Sequence, residues 1–343
     1  MGRKPTKNLN LPPQMRRREK ASGKVYYYYD TGEKPRREIP LGGDFIAALR
    51  KYSELHQIGK PNRDIVFGDV IKKYRAEVLP TLAVNTIRVQ KSDLKYLEKN
   101  FADAPLEAVK PGHVHRFLAK YKDKPTTANR CKRLFSAMWN RAREWEYTNA
   151  PNPAAGIKGH KLGKRDVYID DAIFKAVWEA GSEPLRDAMD LAYLTGQRPA
   201  DALKLTEHNI KDGHLVIKQA KTKTPLRITV VGELDMLLKR IRARKDGYKI
   251  HATTLLVNTQ GKALTKAVLR NHFDDARVDA AKKHPELADD IKAFWFYDLR
   301  AKAADDTADM RGDEAASNLL GHSDVKTTKR HYLRKGQIVE PTK

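Results

Sequence analysis

Apolar and polar positions alternate with different periods in successive stretches of the chain. Near the start, Lys24-Val25-Tyr26-Tyr27-Tyr28-Tyr29 predicts a strand, because aromatic side chains fit a pleated, half-buried surface. Asp30-Thr31-Gly32-Glu33 reads as a turn, and Arg37-Glu38-Ile39-Pro40-Leu41-Gly42 as a second strand with a glycine stop. Asp44 then caps a short helix that carries Phe45, Ala48, Leu49 and Leu55 along one side. Residues 1–22, rich in Lys, Arg and Pro, are expected to begin as a flexible segment. A sheet and helix of about 60 residues is too small for a large core.

From residue 65 the period becomes helical. Val70, Ile71 and Tyr74 repeat at helical spacing, as do Leu94 and Leu97, then Val114, Phe117 and Leu118, then Leu134, Met138 and Ala142. A proline-rich stop, Ala150-Pro151-Asn152-Pro153, ends this run, which predicts a four- or five-helix bundle over 65–160. Lys60-Pro61-Asn62-Arg63 and the Gly- and Lys-rich 156–165 read as linkers. Beyond Asp170, helices are expected at 171–180, 184–195 and 199–206. A strand at 214–219, a turn over Lys221-Thr222-Lys223-Thr224-Pro225 and a strand at 227–230 follow, then helices to about 330. The organisation expected is three domains, 1–64, 65–160 and 161–343, mainly α with small β elements.

Composition adds a partner. Lys and Arg number 67 against 43 Asp and Glu, a formal net charge of +24 spread along the whole chain rather than gathered in one tail. Such a chain repels itself unless several of its segments meet one polyanion, and DNA is the commonest candidate. Cys131 is the single cysteine, so no intrachain disulfide or Cys–His metal cluster forms, and no metal is expected. The basic start has no apolar run behind it, and nowhere does an apolar run approach the ~20 residues of a membrane span. A soluble, cytoplasmic protein is expected.

Three short segments can carry chemistry: Thr195-Gly196-Gln197-Arg198-Pro199-Ala200-Asp201; Phe296-Tyr297-Asp298-Leu299-Arg300; and Leu320-Gly321-His322 followed by Thr327-Thr328 and His331-Tyr332. Each alone has a plain reading, as a helix corner, an exposed helical Arg, and a glycine C-cap with a core tyrosine. Together, in this order and with a basic hairpin between the first two, they resemble the catalytic signature of the tyrosine recombinases, the integrase family of temperate phages. Tyr332 stands ten residues after His322, as that signature has it.

The resemblance implies strand transfer through a covalent bond between DNA and Tyr332, with no cofactor. Two guanidiniums, Arg198 and Arg300, suit the extra negative charge of a pentavalent phosphorane, because each is a flat, permanently charged fork of donors. Asp201 is placed three residues on to orient Arg198. Lys221 stands where the family's hairpin lysine donates a proton to the 5′ oxygen, with Lys223 as competitor. His322 would hydrogen-bond the scissile phosphate. Tyr297 departs from the family, which usually has His there. A phenol donates a hydrogen bond but is a poor base at neutral pH.

The front of the chain, with Gly2-Arg3-Lys4, Leu11-Pro12-Pro13, the tyrosine run and Ile39-Pro40-Leu41-Gly42, resembles the arm-binding domain of lambda-type integrases, a three-stranded sheet with a helix. The resemblance then implies an arm-type domain, a helical core-binding domain and a mixed α+β catalytic domain. Phosphate contacts are expected from Arg3, Lys4, Arg16, Arg17 and Arg18, from Arg88, Lys91, Lys95, Arg130, Lys132, Arg133 and Arg141, and from Lys223, each of which could equally be a solvated charge. It further implies a homotetramer on double-stranded DNA with core and arm-type sites, working on the nucleoid of a bacterial host, with a host DNA-bending protein and an excisionase as further partners. A type IB topoisomerase and an inactive DNA-binding or architectural protein are the alternatives.

Overall fold

The computed structural model describes residues 11–58, 65–336 and 341–342, and the chain divides into two compact units, Met1–Leu162 and Gly163–Lys343. In the first unit, β1 (Met15–Glu19), β2 (Val25–Asp30) and β3 (Glu38–Gly42) form an antiparallel sheet in chain order, followed by α1 (Phe45–Ile58). Met15 pairs with Tyr29 and Arg16 with Tyr28, so the tyrosine run alternates between faces. Tyr27 and Tyr29 meet Phe45 and Tyr52 of α1, at 5.3 and 5.8 Å between ring centres. Tyr28 and Tyr26 instead lie beneath the cations of Arg18 and Lys20. Asp44 accepts from the Ala47 amide at 2.7 Å, the expected cap.

The strand β1 lies in the basic segment 1–22 and completes the three-stranded sheet that the resemblance implied. Its one apolar residue, Met15, gives too little alternation to read as a strand. Five residues of pairing with β2 order it, and Met15 is buried.

Still in the first unit, α2 (Phe67–Lys73), α3 (Val84–Phe101), α4 (Pro111–Lys120) and α5 (Pro125–Glu144) pack around Phe67, Phe101, Phe135 and Trp139. The apolar positions that set the helical period, among them Val70, Leu94, Leu97, Val114, Phe117, Leu134 and Met138, are buried. Phe67 stacks on Phe135 at 4.6 Å. Gly68 lets α2 approach the end of α3, since a Cβ there would sit 2.8 Å from the Ala102 carbonyl oxygen.

The second unit is helical around one small sheet. α6 (Asp171–Ala180), α7 (Glu183–Thr195) and α8 (Pro199–Ala202) precede β4 (Ile210–Lys211), β5 (His214–Lys218) and β6 (Pro225–Thr229), an antiparallel sheet in chain order. α9 (Gly232–Asp246), α10 (Lys266–Lys283), α11 (Ala288–Ala293), α12 (Leu299–Leu320, broken at Gly312) and α13 (Val325–His331) complete it. The core gathers Ile173, Val177, Leu185, Leu191, Leu237 and Phe273.

Two expectations are corrected here. The helix expected over 199–206 stops at Ala202, because Leu205 accepts a backbone bond from Leu255 and Thr206 bridges to Thr254, which pull the chain into an extended path. The expected two-stranded hairpin has a third strand, β4, only two residues long and exposed on both, hence without an apolar signal. Among the described residues no helix is long and apolar enough to cross a membrane.

Candidate active site

Four elements of the second unit bring the three sequence segments together. α7 ends at Gly196 in the left-handed conformation (φ +61°), and Pro199 occupies the first turn of α8, so Arg198 sits in the extended link between them. α12 begins at Leu299 and ends at Gly321, also left-handed (φ +67°). Beyond it, α13 carries the chain to Tyr332.

These two helix ends converge on Arg300, which is 1% exposed. Its Nη1 donates to the Gly196 carbonyl at 2.6 Å and its Nη2 to the Leu320 carbonyl at 2.8 Å. Both carbonyls lie at helix C-termini, where the dipole is negative and partly compensates a cation. No carboxylate pairs with Arg300 among the described residues, and its Nε–H has no partner. Burial lowers its pKa from the ordinary arginine value, and Arg198 beside it adds to the effect. A buried cation without a counterion is costly, and an anion entering this site would relieve that cost. Arg198 has a looser carboxylate partner, Asp201, at 3.9 Å.

His322 receives the Arg300 Nη2–H on Nε2 at 3.2 Å, and its Nδ1 lies 2.8 Å from the Thr328 hydroxyl. Because a guanidinium only donates, Nε2 must be the acceptor and Nδ1 carries the proton. Burial, then Arg300 and Arg198, lower the imidazole's pKa to about 4, so His322 is neutral at physiological pH. In this tautomer Nε2 has no proton to offer a phosphate. The role read from sequence therefore requires the proton to move from one ring nitrogen to the other.

Tyr332 is 8% exposed and packs on Ala301, Ala304 and Leu320 of α12. Its hydroxyl lies 2.7 Å from the Tyr297 hydroxyl, and the Arg300 guanidinium is 5.2 Å from its ring centre. The two phenols are pushed apart. Burial and the bond to Tyr332 raise Tyr297 to about 12. For Tyr332, burial alone would raise the pKa, but the bond from Tyr297 and the charges of Arg300 and Arg198 outweigh it and the pKa falls. Tyr297 is thus the donor and Tyr332 the oxygen on which negative charge is favoured.

Asp298, fully buried, accepts from Arg165 and, at 2.8 Å, from Arg334. The chain just past Tyr332 is in this way tied to the turn that carries Tyr297 and Arg300.

Lys221 and Lys223 lie exposed on the β5–β6 turn, and no hydrogen bond or ion pair among the described residues engages either ammonium. Asp201 does more than face Arg198, since its Oδ1 accepts the Ala220 amide at 2.9 Å and fixes the base of that turn. Two residues missed in the sequence complete the site. Gln219 and Gln197, both fully buried, join the turn to Arg198 and to the end of α12. The signal was present: Leu215, Ile217 and Gln219 share one phase of a strand, so a glutamine continues a buried apolar face.

The basic residues proposed to meet phosphate divide by geometry. Arg3 and Lys4 lie outside the described residues. Arg16 and Arg18 pair with Asp30 and Glu38, at 2.7 and 2.6 Å, and Arg17 with Glu19 at 3.2 Å. Arg130 forms a two-pronged pair with the buried Asp93, Lys132 donates to the Ile157 carbonyl, and Arg141 pairs with Glu144, so internal partners already engage these three. Arg88, Lys91, Lys95 and Arg133 are exposed and pair with no carboxylate among the described residues, and the first three lie on one side of α3.

Comparison with known proteins agrees with this geometry. The phage integrase family model matches residues 171–337, the span that holds every pocket residue. The integrase of Enterobacteria phage 434 is 28% identical over 238 residues, 67% of this chain and 65% of that relative, so the chain aligns with just under two thirds of that protein. In fold, the chain is similar to a lambda integrase dimer bound to a COC′ core site (TM-score 0.69, 21% identity, 98% of this chain and 99% of that one). It is likewise similar to a lambda integrase tetramer bound to a Holliday junction (TM-score 0.69, 20% identity, 97% and 99%). Residues 171–337 thus match the phage integrase family, and the chain around them has a fold similar to that of lambda integrase.

Proposed function

We propose that the protein is a site-specific DNA recombinase that integrates and excises element DNA through a phosphodiester bond to Tyr332. The observation that carries this reading is Arg300, a fully buried guanidinium with no carboxylate partner among the described residues and one unbonded N–H, lying beside Tyr332, the phenol whose ionisation the site favours. Tyr332 Oη attacks the phosphorus and its proton leaves to solvent. The bond to the 5′ oxygen breaks as Lys221 protonates that oxygen. Arg198 and Arg300 hold the charge that builds on the non-bridging oxygens. The energy of the broken ester is kept in the phosphotyrosine, so rejoining needs no ATP or metal.

Residues 1–64 would serve as the arm-type DNA-binding domain, 65–160 as the core-binding domain and 161–343 as the catalytic domain. The carboxylate-free cations Arg88, Lys91, Lys95 and Arg133 are the favoured phosphate contacts of the second. Assembly as a tetramer on two duplexes follows the likeness to the lambda integrase tetramer. A host DNA-bending protein and an excisionase would set direction, and the work would be done on the nucleoid of a bacterial host. The deciding experiment uses supercoiled plasmids with and without the paired attachment sites that flank the element. Exchange confined to paired sites is expected. Relaxation of any plasmid without exchange would instead make the protein a type IB topoisomerase.

Tyr297→Phe tests the departure from the family. Loss of its donated hydrogen bond should raise the Tyr332 pKa and slow single-turnover cleavage about 5- to 150-fold near neutrality. The deficit should shrink as pH rises, because alkali restores the phenolate that Tyr297 no longer favours. A deficit that stays constant across pH would show that Tyr297 acts on the phosphate instead.

A further inference from the structure

The buried glutamines have a defined geometry that the catalytic reading leaves unused. Gln219 Oε1 accepts from Arg198 Nη1 at 3.1 Å and from the Thr222 hydroxyl at 2.8 Å. Its Nε2 donates to Gln197 Oε1 and to the Leu320 carbonyl, both at 2.9 Å. Gln197 Nε2 donates in turn to the carbonyls of Thr195 and Leu319, at 2.9 and 3.2 Å. A guanidinium cannot accept and a carbonyl cannot donate, so both amides have one possible orientation. Both glutamine side chains are fully buried, where such chains of bonds are strong and a broken member leaves a buried group unpaired.

Gln219 is also the root of the turn. Its amide donates to the Thr224 carbonyl at 3.0 Å and its carbonyl accepts from Lys223 at 2.9 Å, which closes the loop that carries Lys221. Close packing keeps the chain in register, since a Cβ on Gly321 would lie 3.0 Å from Gln219 Nε2, beside the residue that leads to His322.

We propose that Gln219, braced by Gln197, is a positioning residue that fixes the exposed Lys221 turn against the Arg198–Arg300 pair. Among the described residues no hydrogen bond or ion pair holds the Lys221 ammonium, so its placement at the leaving oxygen depends on where the root of its turn is anchored. This rests on the recombinase reading. The wild-type protein separates the two: if it forms no covalent adduct on a nicked core-site substrate, that reading fails, whatever Gln219 does.

The test compares wild type, Gln219→Leu and Gln219→Glu on an ordinary phosphodiester and on one with sulfur at the 5′ bridging position, whose leaving group needs no proton. The Glu variant keeps the acceptor for Arg198 and loses both donated bonds. Each variant should cleave the ordinary substrate about 10- to 100-fold more slowly, with DNA affinity unchanged within about threefold. On the sulfur substrate most of the deficit should vanish, because the step served by Lys221 is bypassed. An equal deficit on both substrates would overturn the proposal and place the effect on Arg198. Loss of folding in both variants, read by circular dichroism, would reduce the glutamines to a structural role and overturn it as well.

Discussion

Arg300→Ala should slow single-turnover cleavage by about 1000-fold or more, because removal of a donor aimed at developing charge in a closed site costs at least about 100- to 1000-fold. Arg300 supplies more than one donor and a full charge, and the pocket's other guanidinium, Arg198, is already shared with Gln219 and Asp201. DNA affinity should fall far less, since the net charge of +24 is spread along the whole chain. Arg300→Lys should remain severely impaired: an ammonium keeps the charge but cannot reach the Gly196 and Leu320 carbonyls and an incoming oxygen with one flat fork. The alanine variant also frees the carbonyls at the ends of α7 and α12, so a lower melting temperature is expected with it. Measurement of adduct formation well below the variant's melting temperature isolates the chemical effect. Cleavage within about tenfold of wild type under those conditions would contradict the assignment of Arg300 to the transition state.

The parts of this site differ in how far the sequence exposes them. The His322 to Tyr332 spacing and the glycine that closes α12 are local, and both were legible as a motif. The burial of Arg300 was not. An arginine at a helix start reads as solvated, and only the meeting of two distant helix ends makes a fully enclosed cation of it. Gln219 was legible in principle, as the polar residue on the buried phase of β5, but its partners at 197 and 320 lie too far along the chain for any periodicity to show. The tyrosine run showed a strand, whereas β1 was expected only through the resemblance to a three-stranded domain, because its order comes from pairing rather than from its own pattern. The same reason limits the reading of surface charge. Arg130 looks like Arg133 in the sequence, yet Asp93 lies beneath one and not the other. The helix lengths around 200 failed for a related cause, since the bridge from Thr206 to Thr254 overrides local helical preference.

Tyr332→Phe should abolish cleavage altogether, because the ring keeps its packing on α12 while the only oxygen able to form the ester is gone. Binding to core-site DNA should be unchanged within about threefold, as the lost hydroxyl contacts Tyr297 rather than a surface that faces phosphate broadly. Tyr297 stands only 2.7 Å away and is the obvious substitute, but it donates to Tyr332 and its own ionisation is disfavoured, so it should not rescue the variant. The decisive measurement is therefore direct identification of the residue that carries DNA. Wild type is trapped on a nicked suicide substrate, digested, and the nucleotide-bearing peptide is sequenced by mass spectrometry. Phosphotyrosine is expected at Tyr332, and no trapped adduct from Tyr332→Phe. An adduct mapped to Tyr297 or to any other residue, or one that persists in the Tyr332→Phe protein, would contradict it.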